Sequence, residues 1–107
     1  MGAATSSEYL YSSLADEILQ DLVQLFVEEM PRRAENLAAC LQALEWEGLR
    51  RAVHQLKGAA GSYGFAPVSV AAARVEQAIA SRQPEDEIRR TTEELIDLCR
   101  RVRAGGP

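Results

Sequence analysis

Residues 54–65 read HQLKGAAGSYGF and bring a nucleophile, a cation and three glycines into one short segment. His54 is the only histidine in the chain, and Lys57 follows it by one helical turn. A neutral imidazole nitrogen is a good nucleophile near neutral pH, and an ammonium group binds phosphate oxygens as a point charge. The pair therefore fits phosphoryl chemistry, with His54 as the acceptor and Lys57 beside the phosphate.

Helical geometry separates His54 from the apolar side of its own segment. At about 100° per residue, the apolar residues of the segment all fall within roughly 40° of Leu49: Val53, Leu56, Ala60 and Tyr63. His54 lies about 140° from Leu49, and Gly58 and Gly61 lie at about 180° and 120°. The pattern therefore predicts a buried stripe on one face of the helix and an exposed histidine on the other.

Glycine inside a helix lowers the stability of the helix by about 0.5–1 kcal/mol relative to alanine. We therefore expect Gly58 and Gly61 to have a function that offsets this loss. Placed beside His54, they would leave the imidazole open to a large partner. Two alternatives remain: the glycines permit close packing of helices, and Lys57 is an ordinary solvated charge. A lone histidine is also most often a plain surface residue or a satisfied side chain.

Composition limits the classes of protein to which the chain can belong. It has 107 residues, 47% hydrophobic and 26% charged, with a net charge of -4. This is typical of one compact soluble domain, and the mild acidity argues against nucleic acid as a partner. No apolar run approaches the ~20 residues of a membrane helix, and the start MGAATSSE does not resemble a signal peptide. We expect a cytoplasmic protein that does not bind a membrane.

The two cysteines, Cys40 and Cys99, each lie among apolar residues at helical spacing. We interpret them as buried free thiols, since a disulfide is disfavoured in a reducing compartment. A metal site needs more ligands than two distant cysteines and one histidine, so no metal site is expected.

The first half of the chain contains signals for a tail, a short helix and a long helical stretch. Residues 1–7 read as a flexible tail, and a short helix is predicted at about 8–12. Ser13 with Asp16 resembles a capping box. Pro31 either bends the following helix or starts a new one. Apolar residues before it recur at helical spacing: Ile18, Leu19, Leu22, Leu25, Phe26 and Met30.

The second half contains three further helical patterns separated by short breaks. Gly64 is predicted to cap the His54 helix in a left-handed conformation. The SRQPEDE segment predicts a loop and then a helix that starts after proline with acidic residues in its first turn. No convincing strand pattern is present. We therefore predict an all-α, antiparallel four-helix bundle over residues 8–103, with a short extra N-terminal helix and a C-terminal tail at 104–107.

The segment HQLKGAAGSYG resembles the signature H-x-L-K-G-x-x-x-x-x-G of histidine-containing phosphotransfer (HPt) domains. The positions that fall on this signature are His54, Leu56, Lys57, Gly58 and Gly64. The surrounding helical pattern extends the resemblance over nearly the whole chain. The family has a four-helix fold with extra short helices, in agreement with the helices predicted from periodicity.

The resemblance implies a phosphocarrier in a multistep, two-component phosphorelay. His54 would accept a phosphoryl group from an aspartyl phosphate on one receiver domain and pass it to another. Lys57 would steady the phosphate and Gly58 would give access. The domain would have no catalytic machinery of its own and so would not be an enzyme, and Mg²⁺ would come from the receiver. Two alternatives remain: a domain excised from a larger hybrid or chemotaxis-type histidine kinase, and a receiver-binding helical module that carries no phosphate.

The expected partners are receiver domains of response regulators and hybrid histidine kinases. The protein itself is expected to be a monomer. The docking surface should centre on His54 and be completed by the helical segment before Pro31. Its other members are expected to be Arg50, Arg51, Gln55, Lys57, Gly58 and Gly61.

Overall fold

The computed structural model describes residues 8–14 and 16–105. These residues form four helices and two short strands: β1 (Leu10–Tyr11), α1 (Glu17–Gln42), α2 (Trp46–Ser62), α3 (Ala66–Ala80), α4 (Glu85–Arg101) and β2 (Val102–Arg103). The prediction of a four-helix, mainly helical domain is confirmed. The predicted tail at 1–7 and the last two residues of the predicted C-terminal tail lie outside the described residues.

The short helix predicted at residues 8–12 is wrong, as is the expectation that the chain has no strand. Residues 10–11 are extended and pair in parallel with β2, Leu10 opposite Val102. The chain continues along the end of α2, where the backbone N–H of Ser13 donates to the carbonyl of Gly64 over 2.8 Å. A helix of one turn gains little from its own hydrogen bonds, so pairing with the rest of the fold determines the conformation of this segment.

The start of α1 lies three residues later than the capping box predicts. Asp16, not Ser13, is the N-cap, and its Oδ1 accepts a hydrogen bond of 2.9 Å from the backbone N–H of Ile18. Pro31 lies inside α1 and does not start a new helix. It lacks an N–H, so the carbonyl of Val27 receives no hydrogen bond from it. Pro31 lies on the exposed side of α1, while its neighbour Met30 is buried in the core.

The apolar faces of the four helices meet in one core. The stripe predicted on α2 is observed, since Leu49, Val53, Leu56 and Ala60 are at most 1% exposed, whereas Tyr63 is only half-buried. Helix α2 packs on α1 and α3, and α4 packs on α3 and α1, which closes the bundle. The antiparallel order of the whole bundle stays a prediction.

The two cysteines are free thiols, as predicted. Cys99 is buried, and burial raises the pKa of its thiol to about 12, so it is unreactive at neutral pH. Cys40 is only half-buried, which corrects the expectation that both are fully enclosed.

Helices α1, α2 and α3 end in the same backbone arrangement. The residue after each C-cap is left-handed: Leu44 (φ 56°), Gly64 (φ 84°) and Arg82 (φ 56°). The next backbone N–H then bonds back into the last turn, as Glu45 does to Cys40, Phe65 to Ala60 and Gln83 to Ala78. The predicted left-handed Gly64 is thus observed. It also needs to be glycine for lack of space, since a Cβ there would lie 2.8 Å from the backbone nitrogen of Ser13.

Replacing Arg82 by glycine should raise the free energy of unfolding by about 0.5–1 kcal/mol. Arg82 is exposed and left-handed, so the substitution removes backbone strain without removing packing. Arg74→Gly, an exposed arginine in the interior of α3, is the matched control and should lower stability by about 1 kcal/mol. Urea denaturation of the two variants would show opposite signs, and equal losses would contradict the strain at Arg82.

Candidate functional site

His54 lies on the exposed side of α2, as its helical position predicts. Its side chain is 62% exposed, while the neighbouring Val53 and Leu56 are buried in the core. The amphipathic pattern of α2 is therefore the reason why the imidazole faces outward.

A carboxylate of α3 connects the two residues that the sequence singles out. Glu76 Oε2 lies 2.8 Å from His54 Nδ1, and Glu76 Oε1 lies 2.7 Å from Lys57 Nζ. Sequence reasoning missed Glu76, because periodicity shows that α3 has a polar face but not that this face lies beside His54. A carboxylate at the α2–α3 boundary, with its side chain 22% exposed, is the residue that orients the site.

The contact with Glu76 decides which ring nitrogen of His54 is available. An ionised carboxylate only accepts hydrogen bonds, so Nδ1 must carry the proton that is donated to Glu76. The lone pair of the neutral imidazole is then on Nε2. With Nδ1 engaged by α3, Nε2 is the ring nitrogen of this exposed side chain that has a free lone pair.

Glu76 is held as a carboxylate by its two partners on α2. The hydrogen bond from Lys57, followed by that from His54, holds the pKa of Glu76 below its ordinary value of 4.5. The carboxylate is therefore ionised at neutral pH, as donation from His54 Nδ1 requires. One of the three N–H groups of Lys57 is used in this contact.

The two glycines on the exposed face of α2 have different surroundings. A Cβ added at Gly58 would have no atom within 4 Å, whereas one added at Gly61 would lie 3.4 Å from Ser69 Oγ. The hydroxyl of Ser69 donates to the carbonyl of Lys57 over 2.9 Å. Gly58 thus leaves the surface beside His54 open, while Gly61 faces Ser69 of α3 at the short end of ordinary van der Waals distance for a Cβ.

The expected docking residues on α2 are exposed to different degrees and differ in their partners. Arg50 is paired with Glu47 (Nη2 to Oε2, 2.6 Å), and this contact lowers the pKa of the Glu47 carboxyl. Arg51 and Gln55 are exposed, and Arg51 has no ion pair within residues 8–14 and 16–105. Arg51 is therefore a freer cation than Arg50 on this face.

Three apolar residues predicted from periodicity are exposed on α1. Ile18, Leu22 and Leu25 are 82%, 44% and 56% exposed, and their spacing places them on one side of the helix. The neighbouring Phe26 ring lies 5.5 Å from the ring of Tyr63, so this part of α1 runs beside the C-terminal end of α2. These three residues form an apolar stripe before Pro31, in the segment expected to complete the docking surface.

No three histidine, cysteine or carboxylate side chains in the described parts of the chain are grouped so as to hold a metal ion. Nor does any described helix combine the length and the apolar character needed to cross a membrane.

Replacing Glu76 by glutamine should remove a pH-dependent part of the stability. Because the folded state lowers the pKa of Glu76, its contribution is present above the ordinary value of 4.5 and is lost as the pH falls through the lowered pKa. The wild type should therefore exceed Glu76→Gln in unfolding free energy at about pH 6, and the difference should shrink towards about pH 3.

Urea denaturation across this pH range measures that difference. Glu93→Gln is the control, because Glu93 is exposed on α4 and has no ion pair among the described residues. A difference between wild type and Glu76→Gln that stays constant with pH would contradict the ionised bridge.

A family model described as Hpt domain matches residues 21–105. The matched range includes most of α1, the other three helices and all three residues of the bridge, His54, Lys57 and Glu76. No curated protein and no solved structure matches the chain.

Proposed function

Because this chain belongs to the Hpt domain family, whose members carry phosphoryl groups on histidine in phosphorelays, we propose that it is such a carrier and that His54 is its acceptor. The observation that carries the proposal is the contact between Glu76 and Nδ1, 2.8 Å long, on a histidine whose side chain is 62% exposed. It leaves Nε2 unprotonated on the side that a partner can reach.

The phosphoryl group would come from an aspartyl phosphate on a receiver domain. Nε2 of His54 attacks phosphorus, an N–P bond forms, and the P–O bond to the aspartate breaks with its electron pair leaving on the carboxylate. No proton has to leave the ring, because Nδ1–H stays bonded to Glu76. The positive charge that develops on the imidazole then faces this carboxylate, which stabilises it. Transfer to a second receiver is the same step in reverse.

Lys57 is suited to the negative charge that arrives with the phosphoryl group. Its ammonium lies one turn from His54, and two of its three N–H groups remain for phosphoryl oxygens while the third bonds Glu76. We assign Lys57 the role of stabilising the phosphoryl group. Gly58, with open space where a side chain would be, gives the partner its approach to His54.

The surface around His54 complements a receiver active site, which is an acidic pocket with apolar residues at its rim. Arg51 and Lys57 would supply positive charge, and the apolar stripe of Ile18, Leu22 and Leu25 on the neighbouring helix α1 would supply the apolar contact. Mg²⁺ and the acidic ligands that hold it would come from the receiver, so the chain itself would act as a carrier and not as an enzyme. The monomeric state and the cytoplasmic location stay predictions.

A bundle that binds receivers without carrying phosphate is the weaker alternative. Binding alone needs neither a free Nε2 nor a carboxylate that fixes the proton on Nδ1 of His54. Whether the domain acts alone or within a larger histidine kinase does not alter the role of His54 as acceptor.

Replacing His54 by glutamine should abolish phosphoryl transfer from a phosphorylated receiver while leaving the helical content unchanged, because the side chain is exposed. The wild type should acquire label that is lost in acid and survives alkali, as a phosphoramidate does. The measurement is incubation with labelled receiver, followed by acid and alkali treatment and circular dichroism. Label that persists in His54→Gln would exclude His54 as the acceptor.

Lys57→Ala should slow transfer by about tenfold, because it removes a charge-assisted hydrogen bond to the phosphoryl group. Arg51→Ala should have a smaller effect, which weakens as salt rises, since Arg51 contributes only long-range attraction. Stopped-flow transfer from one receiver across a salt series compares the two variants. Equal losses would mean that Lys57 does not contact the phosphoryl group and that its pair with Glu76 is its only specific contact.

A further inference from the structure

Helix α3 contacts the functional face of α2 at two positions. Ser69 donates its hydroxyl to the carbonyl of Lys57, 2.9 Å away, and lies beside Gly61. Glu76 reaches the side chains of His54 and Lys57. Ser69 and Glu76 are seven residues apart, which is about two helical turns, so they lie on the same face of α3 roughly 10 Å apart along its axis.

The contact at Ser69 limits how closely α3 can lie against α2. A Cβ at position 61 would lie 3.4 Å from Ser69 Oγ, which is the short end of ordinary van der Waals contact. Alanine, which adds only this one carbon, would therefore already touch the hydroxyl. A larger side chain would need the room that the hydroxyl now occupies. Because α3 is a continuous helix, displacement at Ser69 also moves Glu76, two turns away.

We propose that Gly61 and Ser69 are positioning residues for His54. The absence of a side chain at Gly61 and the hydrogen bond from Ser69 bring α3 close enough for Glu76 to hold Nδ1 and leave Nε2 free. The consequence for phosphoryl transfer rests on the function proposed above, whereas the positioning itself is a property of the unphosphorylated protein.

Gly58 provides the matched control. It belongs to the same helix and is exposed like Gly61, and alanine gains the same helix propensity at either position. A Cβ at Gly58 meets no atom within 4 Å. Any difference between substitutions at the two sites therefore reports the contact with α3.

The experiment compares Gly58→Ala, Gly61→Ala and Gly61→Val by NMR without a partner protein. Ring ¹⁵N shifts of His54 give the ratio of the Nδ1–H to the Nε2–H form, and the side-chain carboxyl ¹³C shift follows the titration of Glu76. Valine is chosen because it adds two methyl groups to the Cβ that faces Ser69 and has one strongly preferred rotamer in a helix. Gly58→Ala should match the wild type in both measurements.

In Gly61→Val we expect the ratio of Nδ1–H to Nε2–H to fall by about threefold or more, as the bond to Glu76 weakens. The titration of Glu76 should move to higher pH, because its hydrogen bonds are what lower its pKa. Gly61→Ala should move both measurements in the same direction by less. Ser69→Ala should do so as well, since it removes the hydroxyl that joins the helices.

A folded Gly61→Val protein with the tautomer ratio and Glu76 titration of the wild type would overturn the proposal. If this variant does not fold, the same tautomer ratio and the same Glu76 titration in Gly61→Ala and Gly58→Ala overturn it instead. A separate assay with a panel of phosphorylated receivers and Mg²⁺ shows whether wild-type His54 accepts phosphate. Failure there counts against the proposed function and leaves the positioning result unaffected.

Discussion

The chemistry of the site depends on one carboxylate shared by two side chains of another helix. Glu76 accepts from His54 Nδ1 and from Lys57 Nζ, at 2.8 and 2.7 Å. Neither contact can form unless α2 and α3 lie at one spacing and one register. The buried faces of both helices supply that constraint, with Val53 and Leu56 on α2 and Val75 on α3 enclosed in the core next to the exposed site residues.

Properties that depend on one helix could be predicted from the sequence. The apolar stripe of α2 and the exposure of His54 follow from 3.6 residues per turn, and the left-handed Gly64 follows from the rules for helix ends. These features are local, because the apolar face of each helix is buried in the core whichever neighbouring helix packs against it. The family resemblance also rests on residues within one continuous segment.

Properties that depend on two helices were not predictable in this way. Glu76 is one of several charged residues in a helical pattern, and only the packing of α3 on α2 distinguishes it. Gly61 resembled Gly58 in the sequence, yet the structure places Ser69 beside one and open space beside the other. The extended segment at Leu10 was missed for the same reason, since its pairing partner Val102 lies at the opposite end of the chain.

The exposure of His54 fits the proposed function, in which this chain would supply few of the groups that phosphoryl transfer needs. An enzyme that performs phosphoryl transfer encloses the reacting groups and neutralises charge with its own cations. In the proposed function, a carrier that met one receiver and then another would instead present its nucleophile on an open surface, and each receiver would bring the metal and the acidic pocket. Beside the ammonium of Lys57, the carrier would then have to supply only a correctly directed lone pair on the imidazole. A single carboxylate fixed by helix packing is sufficient for that, because it determines the position of one proton and leaves the rest of the imidazole accessible.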